Sequence, residues 1–280
     1  MLEDLFGVEW FLSPPRKRHP AYQRWILCNE LLSRDAQIRL PDDQQHLREI
    51  TQLVLDNYTL VQATGGSLVP FELGSLANYG DERVRRRLKS VIREPTQFLD
   101  VLTELSYAAW HKSRGHRVRA FESEGLPDFE VYIDGLSLPL VADCKRVRNS
   151  TTERRFRKLV EKANKQIKNL GKPCYGLAVI DISEKVQNLQ DQSSGMPQEV
   201  AGICAILEQS LRQLYTSVSG VLVTWGDNIL VPMTDGSGGL LCFARQHSQL
   251  LLHKTPKRKL PDHQDPFLVA HTVMLKVLPS

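Results

Sequence analysis

Pro127-Asp128-Phe129-Glu130-Val131-Tyr132-Ile133-Asp134-Gly135, continued by Leu136-Ser137-Leu138-Pro139-Leu140-Val141-Ala142-Asp143-Cys144-Lys145-Arg146, is the stretch that decides the fold. It reads as two strands, Asp128–Ile133 and Leu136–Val147, joined at Asp134-Gly135, a preferred tight-turn pair. Pro139 inside the second arm marks an edge position or a bulge. Side chains alternate along a strand, so Asp143 and Lys145 share a face and Cys144 points away. A two-residue turn sets Asp128 opposite Val141, diagonal to Asp143, and a bulge near Pro139 shifts that pairing by one place. Either register lets two carboxylates and one ammonium converge at the open end of the hairpin.

Working outward, Pro95-Thr-Gln fits the first turn of a helix that runs from about Thr96 to Ser113 and stops before Gly115. Arg117–Glu122 alternates as a strand does. Thr151–Leu170 is a long basic helix ended by Gly171, and Cys174–Ile182 is a buried strand. A polar loop, Ser183–Gly195, leads to a helix over Gln198–Val218. Two strands follow, Gly220–Trp225 and Asn228–Met233, then a glycine-rich turn at Asp235–Gly239 and a strand around Leu240–Arg245. A polar tail, Lys254–Asp265, precedes a last apolar segment, Phe267–Val277. This order predicts an α/β protein with a mixed sheet flanked by helices. The first 94 residues read as mainly helical, over Ala21–Leu32, from Pro41 onward, and from Asp81 to about Arg93. The expected division is a helical region over 1–94 and a main domain over 95–280, with its core at 95–183 and a C-terminal helix and strands at 196–280.

The 280 residues are 41% hydrophobic and 24% charged, too apolar for a disordered chain and ample for a sizeable core. No stretch reaches the ~18 consecutive apolar residues of a membrane span. The start, Met-Leu-Glu-Asp, lacks the basic-then-apolar order of a secretory signal. Five cysteines at 28, 144, 174, 204 and 242 include no Cys-x-x-Cys, which points to reduced thiols in the cytoplasm rather than zinc or disulfides.

Paired carboxylates beside a lysine suit phosphodiester hydrolysis. They hold hard divalent cations, usually magnesium, that keep several waters and bind phosphate oxygens. Such a metal lowers the pKa of a bound water and stabilises the leaving oxygen, and a neighbouring lysine offsets charge in the transition state. Pro127-Asp128, then Asp143-x-Lys145, resembles the signature of the PD-(D/E)XK nucleases, which have the restriction-endonuclease-like fold. The resemblance extends upstream to the helix bearing Leu102-Thr103-Glu104-Leu105 and downstream through Ala163-Asn-Lys-Gln166-Ile167 to Gly176–Ile182, covering roughly residues 95–183. It implies a nuclease dependent on Mg²⁺ or Mn²⁺, with Glu104, Asp128 and Asp143 at the metal, Lys145 positioning or activating the nucleophile, and Gln166 as an accessory. Glu104 lies off the apolar stripe of its helix, as does Asp100, which is the alternative helix-borne acid.

Lys145–Lys172 carries eleven Lys or Arg against two Glu, a local excess of +9 in a chain whose net charge is +4. The rest of the chain therefore sums to −5, and the basicity begins at the hairpin. Arg148, Arg154, Arg155, Lys158, Lys162 and Lys165 are candidate phosphate-backbone contacts, with DNA favoured over RNA. A solvated helix face is the competing explanation of such a run. The helical 1–94 region is a candidate surface for a protein partner or a second copy of the chain. By resemblance alone, the expected settings are prokaryotic anti-phage defence, restriction or repair. The rival function is a non-catalytic nucleic-acid-binding or scaffolding subunit that kept the fold.

Overall fold

The computed structural model describes residues 8–12, 19, 22, 38–39, 95–121, 123, 125–148, 150–186, 196–211, 216–234 and 240–278. Apart from residues 22 and 38–39, the stretch 21–93 with its expected helices lies outside them, as does the glycine-rich turn at 235–239.

The described helices are α1 (Val8–Leu12), α2 (Pro95–Ser113), α3 (Glu153–Asn169) and α4 (Gln198–Leu211). The strands are β1 (Ile38–Arg39), β2 (Arg117–Ala120), β3 (Phe129–Tyr132), β4 (Leu140–Arg146), β5 (Tyr175–Asp181), β6 (Gly220–Pro232), β7 (Leu240–Leu252) and β8 (His271–Leu278). All eight form one mixed sheet in the order β1-β8-β7-β6-β5-β4-β3-β2. β2, β3 and β4 are an antiparallel meander; β4, β5 and β6 run parallel; β7 and β8 return antiparallel. β1 joins parallel to β8.

Parallel strands covered on both faces are apolar throughout. β5 shows this, with every residue from Tyr175 to Asp181 buried. On one face, Phe98, Leu102, Leu105 and Ala109 of α2 pack on Ala142, Cys144, Leu177 and Val179. On the other, Phe156, Val160, Ala163 and Ile167 of α3 and Leu207 of α4 pack on Val141, Ala178, Ile180 and Val223. Phe11 of α1 joins the α2-side core, and the His19 ring meets Phe98 edge-on.

Glycine stops both long helices as expected. Gly115 (φ 81°) and Gly171 (φ 68°) take the left-handed conformation that L side chains disfavour. At the end of α2, Gly115 N–H donates to the Lys112 carbonyl and His116 N–H to that of His111, a Schellman arrangement.

Two expectations change. Trp225-Gly226-Asp227 does not break the chain into two strands: β6 is continuous through it and pairs with β7 residue by residue from Gly220↔Leu252 to Pro232↔Leu240. Asp227, a turn former, is instead gripped across the ladder by Arg245 at 2.7 and 2.5 Å. The second change concerns the hairpin. Asp134-Gly135 closes a turn, with Leu136 N–H donating to the Ile133 carbonyl, but β4 starts only at Leu140. Residues 136–139 are drawn aside by β5: Tyr175 N–H donates to the Pro139 carbonyl, and Ser137 Oγ lies 3.0 Å from Tyr175 Oη. Phe129 therefore faces Ala142, and continuing that register sets Asp128 opposite Asp143 rather than Val141. The shift is two places, which preserves side-chain parity.

β5 begins under a tight backbone crossing. A Cβ at Gly176 would stand 2.1 Å from the Ser217 carbonyl oxygen, inside any van der Waals contact. Gly176→Ala is expected to destabilise the protein by about 3 kcal/mol, read from denaturant melts, because two hydrogen-bonded backbone segments must part.

The end of α2 holds an acid-sensitive pair. His111 is fully buried, and its Nδ1 lies 3.0 Å from Nδ1 of His116. One ring must donate and the other accept, so the contact needs at least one neutral ring. Burial first, then His116 and Arg114, lowers the His111 pKa to about 3. The unfolded chain takes up a proton near pH 6.5 that the folded state refuses, so the stability held above pH 6.5 is lost as pH falls. The His111 contribution to stability should shrink between pH 6.5 and 4, by about 1.4 kcal/mol per pH unit, read as the difference in melting temperature between wild type and His111→Gln. His111→Gln should flatten that dependence.

Candidate functional site

β4 carries the centre. Val141, Asp143 and Lys145 project to the α3 side of the sheet, and Cys144 to the α2 side. Asp128 sits just before β3, on the face of Asp143 by register. Its Oδ2 accepts the Cys144 N–H at 2.6 Å, which ties the start of β3 to the end of β4.

The structure brings Asp128, Asp143 and Lys145 together. Lys145 Nζ lies 2.6 Å from Asp143 Oδ1 and 3.9 Å from Asp128 Oδ2, and donates to the Cys144 carbonyl at 3.0 Å. Asp143 is wholly buried, while the Lys145 and Asp128 side chains keep 16% and 18% of their exposure. Solvent thus reaches the cluster at both Lys145 and Asp128, and not at Asp143. Asp143 Oδ2 is buried without a hydrogen-bond partner. An unpaired buried carboxylate oxygen is costly.

The electrostatics follow from burial. Asp143 is pushed up to about 6, first by burial and against the pull of Lys145, with Asp128 adding repulsion. Burial alone would lower Lys145, but Asp128, Asp143 and the hydrogen bond it donates to Asp143 together raise it. Lys145 is therefore an ammonium at any physiological pH. In that state it carries a charge and donates hydrogen bonds.

The other expected residues are placed differently. Glu104 is buried on α2, and its charge bears on the Cys144 thiol, which lies on the α2 side of β4. Although it lies off the apolar stripe of its helix, it is not solvent-facing. Asp100, one turn earlier, stands at the rim among Arg148, Arg146, Glu184 and Lys145, where partial burial raises its carboxyl. Gln166 projects from α3, and its Nε2 donates to the Leu126 carbonyl at 2.6 Å, so it secures the loop before Asp128. Gln166 Oε1 is buried without a partner.

Arg148, Arg154, Arg155, Lys158, Lys162 and Lys165 are all exposed, while Phe156, Leu159, Val160, Ala163 and Ile167 of α3 are buried. Lys162 is near enough for its charge to lower the Asp143 pKa. Not all of the basic run is free for a ligand. Arg146 turns inward to Asp181 (3.6 Å) and Glu184 (3.0 Å), and Arg157 donates to Gln209 of α4. Asp181 accepts from Thr103 and from Ser183, which makes it a fastening between α2 and the end of β5.

Sequence reading missed Glu130. It lies on the face of Asp128, fully buried, held by Lys172, by the Tyr132 hydroxyl at 2.9 Å and by Arg119 at 3.6 Å. Its place between Phe129 and Val131 in an alternating strand is the usual mark of a solvent-facing residue. The signal was Lys172, which β3 meets only in three dimensions.

Among the described residues, no group of three or more His, Cys, Asp or Glu is arranged to hold a metal ion, and no helix is long and apolar enough to cross a membrane. Cys144, Cys174 and Cys204 are buried free thiols. Asp128 and Asp143 bring two carboxylates to one cluster, short of three. Compared with known protein families, characterised proteins and solved structures, the chain matches none.

Proposed function

We propose that this protein is a divalent-metal-dependent nuclease of the restriction-endonuclease-like class that hydrolyses nucleic-acid phosphodiester bonds, DNA in preference to RNA. The observation that carries the reading is the Asp128–Asp143–Lys145 cluster, with its partnerless buried carboxylate oxygen, beside an exposed basic helix. The element order supports it: a helix, a three-stranded antiparallel meander, a crossover helix and a fourth strand parallel to the third.

Asp128 and Asp143 would hold Mg²⁺ or Mn²⁺. Two carboxylates are enough, because Mg²⁺ is commonly held by one or two, with waters and substrate phosphate filling the remaining positions. The metal, when bound, supplies a water of lowered pKa and a charge against the leaving oxygen. Lys145 donates toward the attacking water and offsets negative charge at phosphorus. Exposed Arg155, Lys158, Lys162 and Lys165 bind backbone phosphates and place the strand over Asp143. Gln166 keeps the loop before Asp128 in register.

The test incubates the protein with plasmid, linear duplex, single-stranded DNA and RNA, in Mg²⁺, in Mn²⁺ and in EDTA. Cleavage with either metal and none in EDTA is expected. Binding to these substrates with no metal-dependent cleavage of any of them favours a scaffolding subunit instead, a reading that the two-carboxylate count also accommodates.

A further inference from the structure

The ammonium of Lys145 stands where a cation bridging the two carboxylates would stand. It is within 2.6 Å of Asp143 Oδ1 and 3.9 Å of Asp128 Oδ2, with a third anchor on the Cys144 carbonyl at 3.0 Å. All three partners are fixed by strand structure: Asp143 and Cys144 by β4, and Asp128 by its bond to the Cys144 N–H. The ammonium thus neutralises one of two buried negative charges. The other is left to Asp143 Oδ2, buried and unpartnered, and to the partly exposed Asp128.

We infer that Lys145 is a built-in competitor for the metal: its ammonium occupies the cation position at rest and must swing out for a divalent ion to enter. The inference rests on the proposed metal-dependent reading and adds the regulation of that site. A divalent ion on the same carboxylates would face a unit positive charge at a few ångströms inside a largely buried pocket, where Coulomb repulsion is screened far less than in water. Lys145 keeps a path outward, because its own side chain and that of Asp128 are both partly exposed to solvent. On the proposed function, substrate would reach the site from that same solvent-facing side. Release of the ammonium by the metal therefore delivers it toward the phosphate, and metal uptake and lysine placement become a single event.

This reverses the usual expectation for a residue beside a metal. Loss of a supporting side chain normally weakens metal binding. Here Lys145→Met, which keeps the stem and removes the charge, should bind Mn²⁺ more tightly than wild type, by about tenfold or more, while Lys145→Arg should bind no more tightly than wild type. The measurement is calorimetric titration of full-length protein with MnCl₂ in the absence of nucleic acid, with Asp143→Ala as the control that loses binding. A second readout uses wild type alone. Reductive methylation followed by mass spectrometry should modify Lys145 slowly in EDTA and faster with saturating Mn²⁺, because the amine leaves Asp143. If wild type binds Mn²⁺ but Lys145→Met binds it equally or more weakly, or Lys145 stays equally protected with the metal, the competitor role is wrong and the metal site stands. If neither wild type nor Lys145→Met binds Mn²⁺, the metal reading itself falls and this inference with it.

Discussion

Lys145→Ala is expected to cut metal-dependent cleavage about 10³-fold, the usual loss when one positioned donor is removed from a site that stabilises developing charge. Lys145 donates 2.6 Å to a buried carboxylate and is held protonated by two acidic neighbours, so no water can take its place as a fixed positive charge. The loss should fall on kcat, because the ammonium meets the reacting phosphate and the exposed Arg155, Lys158, Lys162 and Lys165 still bind the backbone. Duplex affinity measured in EDTA should therefore be nearly unchanged. A Lys145→Ala protein that cleaves at the wild-type rate would show that catalysis does not run through this cluster. The same position separates two quantities that usually move together: neutral side chains there lower turnover while metal affinity rises.

The chemistry was legible in the sequence further than the geometry was. Local rules located α2, β4, α3 and β5 because each has a local mark: Gly115 and Gly171 at the helix ends, the alternation Ala142-Asp143-Cys144-Lys145, and the unbroken apolar run of β5. Asp143 and Lys145 share a face by strand parity alone, which no register error of two places disturbs. What failed to show depends on pairing across distance. Tyr175 draws residues 136–139 away and lengthens the turn, although nothing near Asp134-Gly135 announces Tyr175. Arg245 lets Asp227 stay in a strand, and Lys172 lets Glu130 be buried; each acid alone reads as turn or surface. The contact of β1 with β8 joins residues 38–39 to 277–278, a separation that no periodicity spans. Glu104 is the reverse case. Its helix was plain, but its burial on the Cys144 side of the sheet needed α2 to be docked.

Asp143→Asn should abolish cleavage and yet make the metal-free protein more stable, a pair of opposite effects that a purely structural carboxylate would not show. Loss of the carboxylate removes one of the two metal-holding groups and should lower activity by at least about 10³-fold. The stability effect follows from proton linkage. Burial holds the Asp143 carboxyl at about 6, above its ordinary value of 3.8, so between those values the folded state binds more protons than the unfolded one. The Asp143 contribution to stability therefore falls as pH rises from 4 to 6, opposite in sign to that of His111, and its full cost persists above 6. Asparagine has no such charge to bury. In EDTA at pH 7.5 the variant should melt a few degrees above wild type, on the scale expected for about 1–3 kcal/mol. The gap should narrow as pH falls below 6 and close near pH 4, where wild-type Asp143 is itself neutral when folded. Saturating Mg²⁺ should close it from the other side, by stabilising wild type and leaving the variant unmoved. A variant that melts below wild type at pH 7.5 would mean that the Lys145 ion pair outweighs the burial of its partner. Among the described residues, the stability so forfeited at neutral pH lies at the one carboxylate with a partnerless buried oxygen, as expected of a group placed to hold a cation rather than to fasten a strand.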